Sequence, residues 1–309
     1  MRLCGDKRNQ SLPMPADPLN SDTGLSNPLG LIAGAGRFPF LVADGARRAG
    51  RSVVAVGLRG LTDPAIHEHA DHFRWSGVVR LGHWIRVFRR MGVREAIMAG
   101  SVRKSDMYVR FRLLRFIPDW TSFRLWFFEV PDRRNDTILR AVAGRMAQEG
   151  ITLVNSIQYC PDHLPGPGVL TKRQPSPALE KDIAFGWRIA KEMGRLDVGQ
   201  SIAVKEQEVI AVEAIEGTDR MIERAGQLCR HGGWTLIKVA KPDQDLRFDV
   251  PTVGPQTIEN LHRHGATALV IEAGTTLVVD RVELIERAEQ LGIVVVAVAD
   301  TANGSGRVQ

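Results

Sequence analysis

The stretch Leu29-Gly-Leu-Ile-Ala-Gly-Ala-Gly-Arg-Phe-Pro39 decides how the first half of this chain folds. Leu29–Ala33 is an apolar run that ends in the turn Gly34-Ala35-Gly36, and apolar positions at Phe40, Leu41 and Ala43 follow at helical spacing. A strand, a glycine loop and a helix therefore come in succession. Downstream, Ser52–Gly57 and Glu95–Ala99 read as further strands, with helical spacing over Trp84–Met91 between them. Strands alternating with helices predict a parallel, Rossmann-like sheet covered on both faces.

Farther along, Thr137–Gly150 reads as a helix and Ile151–Asn155 as a strand. Residues 160–178 hold five prolines, the pattern of a linker. Beyond them come a helix from about Leu179 to Met193, a hairpin of Ser201–Val204 and Val209–Glu213, and a helix over Asp219–Cys229. Strands at Trp234–Ala240, Ala268–Glu272, Thr276–Val279 and Ile293–Ala299 alternate with helices at Thr257–His264 and Glu283–Leu291. The fold class is α/β in two domains, a Rossmann-like domain over 29–160 and a second α/β domain over 179–303, joined by a Pro-rich linker over 161–178. The first 28 residues contain charges, four prolines and no apolar h-region. They predict a disordered tail, not a signal peptide.

The chain has 309 residues, enough for two cores of ordinary size. Three widely separated cysteines and no zinc spacing indicate a reducing compartment without a structural metal. No run approaches the length of a membrane span. A net charge of +6 suits anionic partners such as phosphates, acidic lipid head groups or nucleic acid.

Several motifs carry chemistry. Glycines at 34 and 36, with Arg37 at the helix start, fit a phosphate or ribose contact, or equally a plain tight turn. The dinucleotide fingerprint is incomplete, because Pro39 stands at its third glycine, and this argues against a nicotinamide-dependent oxidoreductase. Gly100-Ser101, followed by Arg103-Lys104, ends a strand, where ligands of parallel sheets gather. Residues 108–128 hold eight of the 19 aromatics together with four arginines. This fits an interfacial or acyl-chain-binding helix pair, a nucleic-acid stacking surface, or a core helix with a solvated arginine face. Nucleic acid ranks lowest, because no recognised module is present. Glu213, Glu216 and Asp219 lie where a strand runs into a helix, so that Thr218 or Asp219 is either an N-cap or part of a cation or ribose site. His67-x-His69-x-x-His72 reads as a solvated helix face before it reads as a metal site.

The loop Lys238-x-x-Lys241-Pro242-x-Gln244-x-x-Arg247-Phe248-Asp249-Val250-Pro251-x-x-Gly254 places three cations around Asp249 in a stretch stiffened by proline and glycine. Cations stabilise charge that develops on a transferring phosphoryl group, and an aspartate beside them acts as general base or holds a divalent ion. The plain alternative is a surface loop with an Asp–Arg pair, and such pairs contribute little stability.

In order and spacing, these stretches resemble one family. GLIAGAGRFP near the start, MAGSV at 98–102, RNDTILR at 134–140, SPALEKDI at 176–183, EMGRLDVGQ at 192–200, AVEAIEGTD at 211–219, KPDQDLRFDVPTVG at 241–254 and EAGTTLVVDR at 272–281 look like the LpxI-type UDP-2,3-diacylglucosamine pyrophosphatases of lipid A biosynthesis. The resemblance runs from about Gly30 to about Ala299, and is most specific in the C-terminal half. It implies hydrolysis of the UDP-2,3-diacylglucosamine diphosphate to UMP and 2,3-diacylglucosamine 1-phosphate (lipid X), with Mg2+ or Mn2+ as cofactor. It implies that water attacks the phosphorus next to the sugar. The family's essential aspartate falls on Asp249, with Lys241 and Arg247 beside it as catalytic candidates. Substrate-binding candidates are Gly34, Gly36, Arg37, Gly100 and Ser101 in the first domain, and Gln200, Thr218 and Asp219 in the second. The aromatics of 108–128 become a candidate acyl-chain surface. The metal ligands stay unassigned. The expected location is the cytoplasm, with room for peripheral association with the inner membrane and for a homodimer. The N-terminal tail, residues 105–130 and residues 151–170 depart from the family pattern. The competing reading is a non-catalytic nucleotide-sugar or lipid-binding protein on the same fold.

Overall fold

A computed structural model describes residues 27–102, 118–130, 135–241, 245–248 and 250–300. The tail expected over 1–28 lies almost wholly outside these residues, as do Asp249 and Tyr108, Phe111 and Phe116 of the aromatic segment.

The first sheet is built from β1 (Leu29–Ala33), β2 (Val53–Leu58), β3 (His72–Ser76), β4 (Glu95–Ala99) and β5 (Thr152–Leu153). All its pairings are parallel, in the order β3-β2-β1-β4-β5. The central strands β1 and β2 are buried at every position, which is why they read as continuous apolar runs. Helix α1 (Phe38–Arg48) packs on one face, and α2 (Leu81–Arg90) on the other. Helix α3 (Trp120–Arg124) runs into a π-helical turn over Leu125–Glu129, and α4 (Asn135–Gln148) precedes β5.

Strand β3 is absent from the sequence reading, which places a solvated histidine face there. His67 and His69 instead sit on a 3-10 turn over Pro64–His69, and His72 opens the edge strand. The pattern His-Phe-Arg-Trp-Ser alternates polar and aromatic side chains, a period of two that suits a strand with one solvated face. His69 pairs with Asp44 at 2.6 Å. Among the described residues, no group of three or more His, Cys, Asp or Glu side chains forms a metal cluster.

The stretch expected as a linker over 161–178 carries more structure than that. It holds a 3-10 turn at Pro161–His163 and the edge strand β6 (Gly168–Val169), which pairs antiparallel with the last strand of the second sheet. Helix α5 (Pro177–Arg195) then begins on a Ser176 cap, whose hydroxyl accepts from the Leu179 amide at 3.2 Å, with Pro177 in the first turn. Its buried positions Ile183, Gly186, Trp187, Ala190 and Gly194 recur at helical spacing.

The second sheet adds β7 (Ser201–Lys205), β8 (Glu208–Val212), β9 (Trp234–Lys238), β11 (Ala266–Glu272) and β13 (Val294–Val298), in the order β6-β13-β11-β9-β7-β8. The three central strands are parallel and the edges antiparallel, so the sheet is mixed. Helices α6 (Thr218–Leu228), α7 (Pro255–Arg263) and α8 (Arg281–Leu291) complete this domain.

A two-stranded parallel ribbon, β10 (Thr252–Val253) with β12 (Leu277–Val278), joins the two cores. Leu277 and Val279 pack into the first domain's core, whereas Val253 and Val278 pack into the second's. Side chains alternate along a strand, so one short ribbon serves both domains.

Candidate active site on the interdomain seam

On the first-domain side, the turns after β1 and β4 lock together. Ala35 and Ser101 exchange backbone hydrogen bonds at 3.0 Å each way, and the Gly34 amide donates to the Ala99 carbonyl at 2.7 Å. Close approach accounts for glycine at 34 and 100. A Cβ on Gly34 would lie 2.9 Å from the Gly100 carbonyl carbon, and one on Gly100 would lie 2.6 Å from the Ala35 carbonyl oxygen. Gly36 differs. Its φ is +92°, and nothing lies within 4 Å of a Cβ there, so its backbone faces open space. Arg37 stacks over Phe40 at 5.1 Å and reaches Asp280 of the second domain at 3.4 Å.

Across the seam lies an open cleft of about 390 Å³. Arg37 lines it from one side; Thr252, Gly254, Gln256 and Asp280 line it from the other. Asp280 has a left-handed backbone, φ +47°, which is uncommon for a residue with a Cβ.

Behind Thr252 is a polar cluster at one end of the second sheet's strands. Lys238 ends β9 and is buried; its Nζ donates to the Thr252 carbonyl at 3.1 Å and to Thr218 Oγ1 at 3.3 Å. Thr218 Oγ1 in turn donates to Glu213 Oε1 at 3.1 Å and lies 3.4 Å from Ser201 Oγ. Thr218 thus opens α6 as a bridge between an ammonium and a carboxylate. Asp219 is exposed, and its carbonyl accepts from Asn260 Nδ2 at 3.3 Å. Glu213 Oε2 and Gln200 Oε1 are buried, and neither has a hydrogen-bond partner among the described residues. Buried polar atoms are seldom left so.

The loop after β9 runs between the domains. It starts beside Glu272, whose buried carboxylate accepts from the Ala240 amide at 2.7 Å and from Lys191 Nζ at 3.0 and 3.1 Å. Lys241 pairs with Asp197. Arg247 forms a bidentate pair with Asp245, at 2.6 Å for its closest contact. That pairing holds the Asp245 carboxyl below its usual range, against partial burial, with the Arg247 amide and the charge of Arg140 adding to it. The Leu246 carbonyl accepts from the Ser156 amide at 3.3 Å and from its hydroxyl at 2.8 Å. Phe248 and Val250 pack on two different faces of the first domain's core. The flanks of Asp249 are therefore fastened to the first domain, while β9 and β10 belong to the second.

Arg37 and Thr218 are thus linked through the cleft and Thr252. Arg247 and Lys241 are held by neighbouring carboxylates. The sequence reading did not single out Ser156, Ser201, Thr252, Asn260, Glu272 or Asp280. Asp280 and Glu272 do fall within the EAGTTLVVDR stretch, where a buried glutamate closing an apolar strand was the available signal. Ser156 and Asn260 act through backbone atoms of other segments, and no spacing rule reports that.

These features define a two-domain α/β protein with a polar site on the seam between a parallel sheet and a mixed sheet. Residues 28–163 match the LpxI N-terminal domain, and residues 166–296 match the LpxI C-terminal domain. A protein of Caulobacter vibrioides, named UDP-2,3-diacylglucosamine pyrophosphatase LpxI, is 34% identical over 282 residues, 87% of this chain and 97% of that relative. The chain belongs to the LpxI family.

Proposed function

We propose that this protein is a hydrolase that cleaves the diphosphate of UDP-2,3-diacylglucosamine, releasing UMP and 2,3-diacylglucosamine 1-phosphate. One observation carries the reading of the site: the described flanks of Asp249 are fastened to the first domain between two strands of the second, next to a cleft lined by residues of each. Water adds to the phosphorus next to the sugar, the bond from that phosphorus to the bridging oxygen breaks, and UMP leaves with the bridging oxygen. Asp249 supplies the carboxylate this step depends on. Lys241 and Arg247 supply positive charge to the leaving phosphate, which competes for them with Asp197 and Asp245. The nucleotide lies along the first-domain turns at Gly34, Gly36, Arg37, Gly100 and Ser101. Gln200, Thr218 and Asp219 contact the substrate from the second domain.

The cofactor of this reading is Mg2+ or Mn2+. Such ions take oxygen ligands, and magnesium commonly uses one or two carboxylates and keeps several waters. The unpartnered Glu213 Oε2 fits that requirement, and Glu213 would hold the ion. When bound, it supplies neutralising charge to the diphosphate. Lys238 fixes Thr218 at the rim of the same cluster.

The substrate carries two acyl chains, which suits a cytoplasmic protein that associates peripherally with the inner membrane surface. No helix among the described residues is long and apolar enough to cross a membrane. The test is UMP release by Asp249→Ala. The variant is expected to keep its circular dichroism spectrum and lose turnover; wild-type turnover would remove Asp249 from the mechanism.

A further inference from the structure

The aromatic segment is folded inside out. Trp120, Phe123 and Phe127 recur at spacings of three and four, which place them on one helical face, and Phe128 widens that face. A soluble domain ordinarily turns such a face inward. Here Trp120 is 75% exposed, Phe123 36%, Phe127 61% and Phe128 76%. Among the described residues of Trp120–Phe128, Leu125 is the buried one, at 4%. The rings touch one another: Trp120 stacks on Phe123 with centroids 5.6 Å apart, and Phe123 meets Phe127 at 4.6 Å. The outcome is one continuous apolar stripe on the surface.

The stripe is held firmly from beneath. Asp119 caps α3 by accepting from the Ser122 amide at 2.9 Å, and it also accepts from the His83 amide at 3.0 Å. Ser122 Oγ accepts from the Leu81 amide at 2.9 Å. These bonds tie α3 to the start of α2, and Leu125 joins the core cluster that holds Trp84 and Phe88. Phe248, adjacent to Asp249, packs against that same cluster.

Cations lie at the junction of α2 and α3 beneath the stripe and within α3 itself. Arg80 precedes Leu81, and Arg124 lies within α3; both are exposed. His83 feels the charges of Arg86, Arg80 and Arg59: burial first, then these guanidiniums, hold its imidazole below the ordinary value against the opposing pull of Asp119. Arg59 and Arg86 are exposed as well. Asp119, which lies beside His83, already accepts from two backbone amides.

We infer that the face formed by Trp120, Phe123, Phe127 and Phe128 docks on an anionic lipid bilayer. Aromatic rings partition into the boundary between head groups and acyl chains, and flanking arginines pair with lipid phosphates. A second copy of the chain fits less well. A two-fold interface is self-complementary, so it would set the face that carries Arg59, Arg80 and Arg86 against the same basic face of the other copy. The inference extends the proposed function, since a diacylated substrate resides in a bilayer, and it names the surface through which the protein reaches it.

Vesicle flotation of the full chain tests the docking surface without any substrate. Wild type is expected to float with equimolar phosphatidylglycerol and phosphatidylcholine vesicles, and much less with phosphatidylcholine alone. The triple variant Trp120→Ser, Phe127→Ser, Phe128→Ser is expected to keep its thermal midpoint and lose vesicle binding by about tenfold or more. Wild-type flotation by this folded variant would overturn the inference. So would a raised KM in detergent micelles with flotation intact, which would give the stripe to the substrate's acyl chains. A dimer that dissociates in the variant while flotation persists would give it to a second copy, and would likewise overturn the inference. Because flotation needs no turnover, its loss or retention stands apart from any failure of the proposed hydrolysis.

Discussion

Arg247 holds Asp245 below the usual carboxylate range, and this gives the loop a pH signature. A depressed folded value means that the pair stabilises the protein above the carboxyl group's unfolded value, and that this contribution is lost as pH falls through the folded one. The stability gap between wild type and Asp245→Asn is therefore expected at neutral pH, and it should close in acid; denaturant melts at several pH values measure it. A gap that widens in acid would refute the pairing. Burial acts the other way on Cys160, pushing its thiol up to about 12. A thiolate is the reactive form, so a native-state alkylating reagent should label half-buried Cys229 well before Cys160. Equal rates would show that the Cys160 site opens readily. At Glu213, Glu213→Gln is expected to raise the magnesium concentration needed for half-maximal UMP release, as read from a metal titration. An unchanged requirement would move the ion elsewhere.

At the scale of elements, the sequence was legible where one force dominated. The fully buried strand Leu29–Ala33 and the largely buried Glu95–Ala99 are short apolar stretches, and the structure places them where they were read. The helix begun by Ser176 and Pro177 was legible through its cap and period, although it starts two residues earlier and runs two residues later than expected. Strand β3 was hidden because its His and Arg positions imitate a solvated helix. β6 was hidden because proline and glycine dominate its neighbours, although an edge strand tolerates both. The aromatic helix shows the limit most plainly: periodicity reports that a face is apolar, and cannot report what covers it. The turns at Gly34 and Gly100 are legible as tight turns, but the reason for two glycines is their approach to each other. Gly100→Ala puts a Cβ 2.6 Å from the Ala35 carbonyl at a φ of +91°. It is expected to cost about 1–3 kcal/mol in thermal unfolding; no loss would show that the turn relaxes.

At the scale of the molecule, two cores share one ribbon, and the loop beside that ribbon holds the residues proposed for the chemistry. The sequence made both domains legible through their separate strand and helix patterns. The seam was not legible, because its contacts join residues far apart in the chain, such as Ser156 with Leu246 and Arg37 with Asp280. The candidate residues divide in the same way. Asp249, Lys241 and Arg247 fall in one motif, whereas the Glu213–Thr218–Lys238 cluster exists only once β7, β8 and β9 are side by side. The central claim is that water, dependent on Asp249, attacks the phosphorus next to the sugar. Mass analysis of products formed from UDP-2,3-diacylglucosamine in oxygen-18 water tests it most directly. Label is expected in 2,3-diacylglucosamine 1-phosphate, none in UMP, and no product with Asp249→Asn; label in UMP, or wild-type turnover by that variant, would remove the attack at the sugar-side phosphorus or its dependence on Asp249.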